Sequence, residues 1–109
     1  MDTIDELTNV LRNFRDKRDW EQFHNPKDLA LALSVEASEL LELFLWKKHE
    51  DVDRGKIEEE IADVLSYLLL LADCYKINIK QVLLEKVQLN EIKYPVSKSK
   101  GNSKKYNAL

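Results

Sequence analysis

Two carboxylate pairs, Glu36 with Glu39 and Glu60 with Asp63, are set in otherwise apolar helical sequence, and nothing else restricts the fold of this 109-residue chain as tightly. Residues three apart share a face of an α-helix, so each pair turns two acids the same way. Leu33, Val35, Ala37, Leu40 and Leu43 surround the first pair, and Ile61, Ala62, Val64 and Leu65 the second. Acids in such surroundings repel one another or protonate unless something compensates them. The pattern therefore predicts two consecutive helices that bring four carboxylates together around a hard divalent cation. Glu58, Glu59 and Glu60 are contiguous, which leaves open a register in which Glu59 faces Asp63 at four-residue spacing.

The rest of the chain reads as helix too. Only 2 Gly and 2 Pro occur, and strand-type alternation is absent, so the expected class is all-α, a four-helix bundle completed by oligomerisation. A first helix is expected over Thr3–Lys17, with Ile4, Leu7, Val10, Leu11 and Phe14 as its apolar stripe. Asn25 and Pro26 read as N-cap and first residue of a second helix, with Asp28 in its first turn. That helix is expected to reach Lys48, where Lys47, Lys48 and His49 suit the negative end of its dipole. A charged loop from Glu50 to Gly55 precedes a third helix over Lys56–Lys76. It is apolar on most sides between Ile61 and Tyr75, more than one flanking helix covers, so it belongs at the centre or at a subunit interface. Asn78 and Gln81 resemble a capping box opening a fourth helix that runs to Lys93 and stops at Tyr94-Pro95. Residues 1–95 are then one helical domain and 96–109 a polar tail.

Composition excludes several classes. The net charge is −3 and the first 90 residues hold no large basic block, which argues against nucleic acid as the partner. Cys74 is the only cysteine, read as a core thiol in a reducing compartment, so no cysteine zinc site or disulfide framework exists. No signal peptide is recognisable and the run Val64–Ala72 is too short to span a bilayer, so a cytoplasmic protein is expected. Carboxylate-only ligation favours Mg²⁺ or Mn²⁺ over zinc or copper. A di-iron carboxylate bundle wants two E-x-x-H motifs; this chain has one, Glu21-x-x-His24, immediately before the Asn25-Pro26 helix start, and His49 lacks an acid at position 46.

Trp20 and Trp46 flank the second helix, with Phe23 and Phe44 nearby. They suit either a platform for a flat base or core packing. Tyr67 shares the face of Asp63, and its hydroxyl has a ligand or a backbone carbonyl within reach. Lys86, Asn90 and Lys93 share one side of the fourth helix, as phosphate binders or as solvated surface. His24 is the one near-neutral titrating group close to the acids, though a structural role suits it equally.

Together these residues resemble the MazG-like all-α nucleoside triphosphate pyrophosphohydrolases, whose E-x-x-E…E-x-x-D signature matches Glu36, Glu39, Glu60 and Asp63. Within them the likeness is to the dCTP pyrophosphatases. It rests on Arg18-Asp19-Trp20-Glu21-Gln22-Phe23-His24, Pro26, Leu29, Ala32-Leu33, Glu42-Leu43-Phe44 and Trp46-Lys47. It continues through Val64-Leu65, Tyr67, Lys86, Asn90, Tyr94-Pro95 and Lys105-Tyr106. The resemblance implies hydrolysis of dCTP and 5-modified dCTP to the monophosphate and pyrophosphate, as nucleotide-pool sanitation, by a homotetramer built as a dimer of dimers. It implies that Glu36, Glu39, Glu60 and Asp63 hold Mg²⁺ and form the catalytic set. Trp20, Glu21, Gln22, Phe23, His24, Trp46 and Tyr67 would line the nucleotide site, and Lys86 and Asn90 would assist with phosphate. Where the family's first helix can carry a substrate-contacting histidine, this chain has Leu11. The alternatives are a broader dNTP or dUTP pyrophosphohydrolase and a non-catalytic nucleotide-binding helical module.

Overall fold

Helix signals in the sequence translate directly into helix starts in the computed structural model, which describes residues 2–109. Helix α1 (Thr3–Asp16) opens on a capping box: the Asp5 amide donates to Asp2 Oδ1 at 2.9 Å and the Asp2 amide to Asp5 Oδ2 at 3.4 Å. Helix α2 (Pro26–Glu42) begins with the expected Asn25 cap, whose Oδ1 accepts from the Asp28 amide at 2.9 Å, followed by Pro26 at the first position. Helix α3 (Arg54–Cys74) is capped by Asp53 through the Gly55 amide, so it starts inside the segment expected to be loop. Helix α4 (Ile79–Lys93) has the Asn78 cap on the Gln81 amide at 3.0 Å, but the Gln81 side chain turns to Glu85 instead of closing the box. All regular structure among the described residues is helical, as expected.

Two boundaries depart from expectation. Helix α2 ends at Glu42, and residues 43–47 continue as turns closed by three-residue bonds such as Phe44 N to Leu41 O at 2.9 Å. Trp46 follows at φ +64°, a left-handed conformation that cannot continue a right-handed helix. Lys47, Lys48 and His49 therefore lie beyond the helix whose dipole they were expected to complement, and His49–Asp51 form a 3₁₀ turn. The segment read as a polar tail holds a fifth, short helix α5 (Val96–Ser99) and a 3₁₀ turn at Tyr106–Ala108.

The chain divides into two compact units, Met1–Ile77 and Asn78–Leu109. In the first, α3 packs against both α2 and α1. Its core is Leu29, Leu69, Leu70 and Ala72, with the Thr8 hydroxyl satisfied by donating to the Ile4 carbonyl at 2.8 Å. The ends of α1 and α3 are closed by paired reverse bonds. Trp20 N reaches Arg15 O and Asp19 N reaches Asp16 O, with Asp19 at φ +55°; Ile77 N reaches Ala72 O and Lys76 N reaches Asp73 O, with Lys76 at φ +52°. The second unit is α4 followed by α5 and the last turn, with Tyr94 and Tyr106 edge to face at 6.2 Å and Lys93 Nζ 5.0 Å from the Tyr106 ring. Among the described residues no helix is long and apolar enough to cross a membrane.

Candidate functional site

Because α2 and α3 pack together, their acidic faces meet. Glu36, Glu60 and Asp63 bring one carboxylate oxygen each within 4.8 Å of one another, with Glu36 and Glu60 half-buried and Asp63 exposed at the open side. Glu39, the fourth expected ligand, is not one of these three, although it acts on the Glu36 carboxyl. The register left open by the contiguous acids is settled toward Glu60, while Glu59 is exposed. Glu36 Oε2 and Glu60 Oε2 are buried with no hydrogen-bond partner among the described residues.

Two ionised carboxylates cannot donate to each other, so this packing raises the proton affinity of its members. Burial, then hydrogen bonding with Glu39 and Glu60, then the charges of Glu39 and Asp63, push the Glu36 carboxyl up to about 7. An all-oxygen set of crowded acids with orphaned buried oxygens fits a hard divalent cation, which would satisfy those oxygens and remove the repulsion together.

Beside the acids lies a cavity of about 280 Å³, and Asp63 is in its wall. Trp20, His24 and Tyr67, all expected near a ligand, line it together with Leu11, Phe14, Arg15, Ser66 and Leu70. The bonds that close α1 fold Trp20 back against Phe14, their rings edge to face at 5.8 Å. Arg18 braces this pair from outside, its guanidinium 3.6 Å from the Phe14 ring centre and 6.0 Å from that of Trp20. The 3₁₀ turn Glu21–Phe23 then delivers His24, whose Nδ1 is buried without a partner and whose pKa is lowered by burial and by the charge of Arg15. Ser66 donates its hydroxyl to the Ala62 carbonyl at 2.7 Å and so presents little polarity to the cavity.

Other expected site residues are not gathered here. Glu21, Gln22 and Phe23 are exposed, Gln22 donating back to the Asp19 carbonyl at 3.0 Å. Trp46 is fully exposed and does not line the cavity. Lys86 and Asn90 lie on α4 in the second unit, Lys86 exposed and Asn90 half-buried. Sequence reasoning placed Phe14 in a packing stripe and passed over Arg15. The signal was present, since Leu11, Phe14 and Arg15 stand at i, i+3 and i+4 on one helix face.

A model of the MazG-like family matches residues 31–109. The chain belongs to the MazG-like family. This MazG-like chain is 38% identical over 115 residues to dCTP pyrophosphatase 1 of Bos taurus and 36% identical to that of Homo sapiens, each alignment covering 98% of this chain and 68% of the relative. A crystal structure of a pyrophosphatase from Archaeoglobus fulgidus superposes with a TM-score of 0.82 at 44% identity, covering 87% of this chain and 94% of that one. The family model begins after α1, whereas the relatives' alignments reach back over the helix and turn that build the aromatic wall.

Proposed function

We propose that this MazG-like chain is a Mg²⁺-dependent nucleoside triphosphate pyrophosphohydrolase that converts dCTP and 5-modified dCTP to the monophosphate and pyrophosphate, cleaning the nucleotide pool. The observation that carries this reading is Asp63, which belongs both to the acid cluster and to the wall of the aromatic cavity, so that phosphate chemistry and a base pocket adjoin. The names of the relatives supply the substrate. Glu36, Glu39, Glu60 and Asp63 would hold the cation, with Mn²⁺ as a substitute. A divalent cation supplies phosphate neutralisation and Lewis acidity, which is most of what phosphoryl chemistry asks for.

The chain's own groups do the rest. Trp20 and Tyr67 enclose the base, and the apolar lining from Leu11, Phe14 and Leu70 excludes water. A carboxylate beside the cation, Glu36 or Glu39, accepts the proton of the attacking water. Lys86 and Asn90 are assigned to phosphate by the resemblance. The proposal extends to a cytoplasmic homotetramer, a dimer of dimers, with no nucleic-acid or membrane partner. Its support is the exposed apolar surface of Leu31, Val35 and Leu41 on α2 and of Ile61, Leu65 and Leu68 on α3. A second reading, broader hydrolysis of dNTPs including dUTP, is favoured by Leu11, which places an apolar side chain in the cavity wall where the family can carry a histidine.

Pyrophosphate release from dCTP, 5-methyl-dCTP, dUTP, dTTP, dATP and dGTP with Mg²⁺, beside EDTA and Glu39→Gln controls, tests both. Cytosine preference lost in both controls is the expected result. Activity on all six moves the assignment to the broader reading, and no release from any leaves a nucleotide-binding module.

A further inference from the structure

Arg15 is the one guanidinium in the wall of the aromatic cavity, and its setting is unusual for the last turn of a surface helix. Its side chain is only 12% exposed. Nε donates to Asp16 Oδ1 at 2.9 Å, whereas the closest acidic atom to a terminal nitrogen, Glu21 Oε2, is 4.0 Å away and beyond hydrogen-bonding distance. Among the described residues neither terminal nitrogen makes a hydrogen bond. The four terminal N–H groups, opposed only by the loose contact with Glu21, are open to an incoming planar acceptor.

Which acceptor is indicated by what surrounds it. The Arg15 carbonyl accepts from the amides of Arg18 and Trp20, so one turn fixes both the guanidinium and the Trp20 ring. Arg15 lies close enough to His24 for its charge to act on the imidazole, and both line the cavity beside Phe14 and Trp20. A planar fork of N–H donors best matches two adjacent in-plane acceptors. Neutral cytosine offers such a pair, N3 and O2. Uracil and thymine put an N–H donor at N3 and forfeit one of the two bonds. Guanine offers a comparable pair at O6 and N7.

We infer that Arg15 is a specificity-determining residue whose terminal N–H groups donate to N3 and O2 of a cytosine base held in the aromatic cavity. The inference rests on the pyrophosphohydrolase reading above and adds the group that separates cytosine from uracil. It also offsets the apolar Leu11, by supplying polarity to the same wall one helical turn further on.

The test compares wild type, Arg15→Lys and Arg15→Gln. Michaelis constants and kcat for dCTP, dUTP and dGTP are measured with Mg²⁺, and Kd for dCMP and dUMP in EDTA from tryptophan fluorescence, with circular dichroism melts to show folding. Both variants should raise the KM for dCTP and the Kd for dCMP about ten- to a hundredfold, the size expected of hydrogen bonds to a charged donor, with a smaller rise for dUTP and dUMP, which keep one bond, and kcat within about threefold. A measurement on the unaltered protein stands beside them. 3-Deaza-dCMP, which replaces N3 by C–H, should bind about tenfold more weakly than dCMP. Equal losses for dCTP and dUTP, a loss confined to dGTP, or 3-deaza-dCMP binding as well as dCMP would each overturn the assignment. Wild-type protein that neither hydrolyses nor binds any of these nucleotides would overturn the underlying reading itself, a failure visible before any variant is made.

Discussion

Helix α3 carries two acidic neighbourhoods that are treated in opposite ways. Near its C-terminal end Asp73, 9% exposed, accepts from Arg12 Nε at 2.9 Å and from a terminal nitrogen of the same arginine, with Lys76 Nζ at 3.6 Å. Hydrogen bonding to Arg12 is the largest influence and holds the Asp73 carboxyl below the usual range, despite burial acting the other way. Toward its N-terminal end Glu60 and Asp63 meet Glu36 with no cation among the described side chains of the cluster, and Glu36 is pushed up to about 7. The fold supplies a partner where an acid is structural. Where it supplies none and instead crowds acids together, the electrostatic cost is left unoffset, which is what the proposed cation would relieve.

The largest effects should come from the uncompensated cluster. Asp63→Asn or Glu36→Gln should lower pyrophosphate release by roughly a thousandfold, on the scale of losing a principal electrostatic contact to the reacting group. The same variants should melt at or above the wild-type temperature in EDTA, because each removes an anion from a repulsive group. Loss of folding in both would place these acids among structural pairs, and the contrast with Asp73 would disappear.

The compensated cluster should answer in reverse. Asp73→Asn leaves Arg12 without its charged partner and should cost about 2 kcal/mol of stability, less than a fully buried pair because the Arg12 side chain is 36% exposed. Urea denaturation reads the loss directly. Turnover per folded molecule should stay within about twofold; a larger drop would tie this pair to catalysis.

Proton linkage sharpens the comparison, because the two shifts have opposite signs. Glu36 has a raised pKa, so in metal-free protein its contribution to stability is fully present below 4.5 and is lost as the pH rises to about 7. Asp73 has a lowered pKa, so its contribution is present above 3.8 and is lost as the pH falls through the still lower folded value. Metal-free protein should therefore melt higher at pH 5.5 than at pH 8. Mg²⁺ at a hundred times its dissociation constant should add about 2.7 kcal/mol at pH 8, and less at pH 5.5 where protons compete for the same oxygens. Melting series with Mg²⁺ and EDTA check both signs; Glu36→Gln should flatten the upper window and leave the acid limb in place.

What the sequence disclosed follows the same division. The acid cluster was legible because i, i+3 spacing fixes a shared face whatever the tertiary detail, and Asn25-Pro26 and Asn78 were legible because capping is local chemistry. The end of α2 was not, since Leu43, Phe44 and Trp46 keep an apolar pattern through the turns and no glycine or asparagine announces the left-handed residue at Trp46. The two tryptophans read alike in sequence yet part in the fold. Trp20 is folded into the cavity wall by bonds to Arg15, whereas Trp46 stands on a turn with its ring fully exposed. Arg15 shares a legible face with Leu11 and Phe14, but the burial of its long side chain depends on what packs over it, which the helix pattern alone does not contain.

The smallest prediction separates the two cations on Asp73. Lys76 is 80% exposed, 3.6 Å from Asp73 Oδ1, and sits at φ +52° where a Cβ is strained. Its ion pair is worth at most a few tenths of a kcal/mol in that setting, while relief of the left-handed strain by glycine is worth about 1 kcal/mol. Lys76→Gly should thus stabilise the protein by about 0.5 kcal/mol in urea denaturation, with Arg12 alone sufficient to keep Asp73 ionised. Destabilisation by a similar amount would instead make Lys76 a working partner of Asp73, and the compensated end of α3 a three-membered network whose balance no longer rests on one arginine.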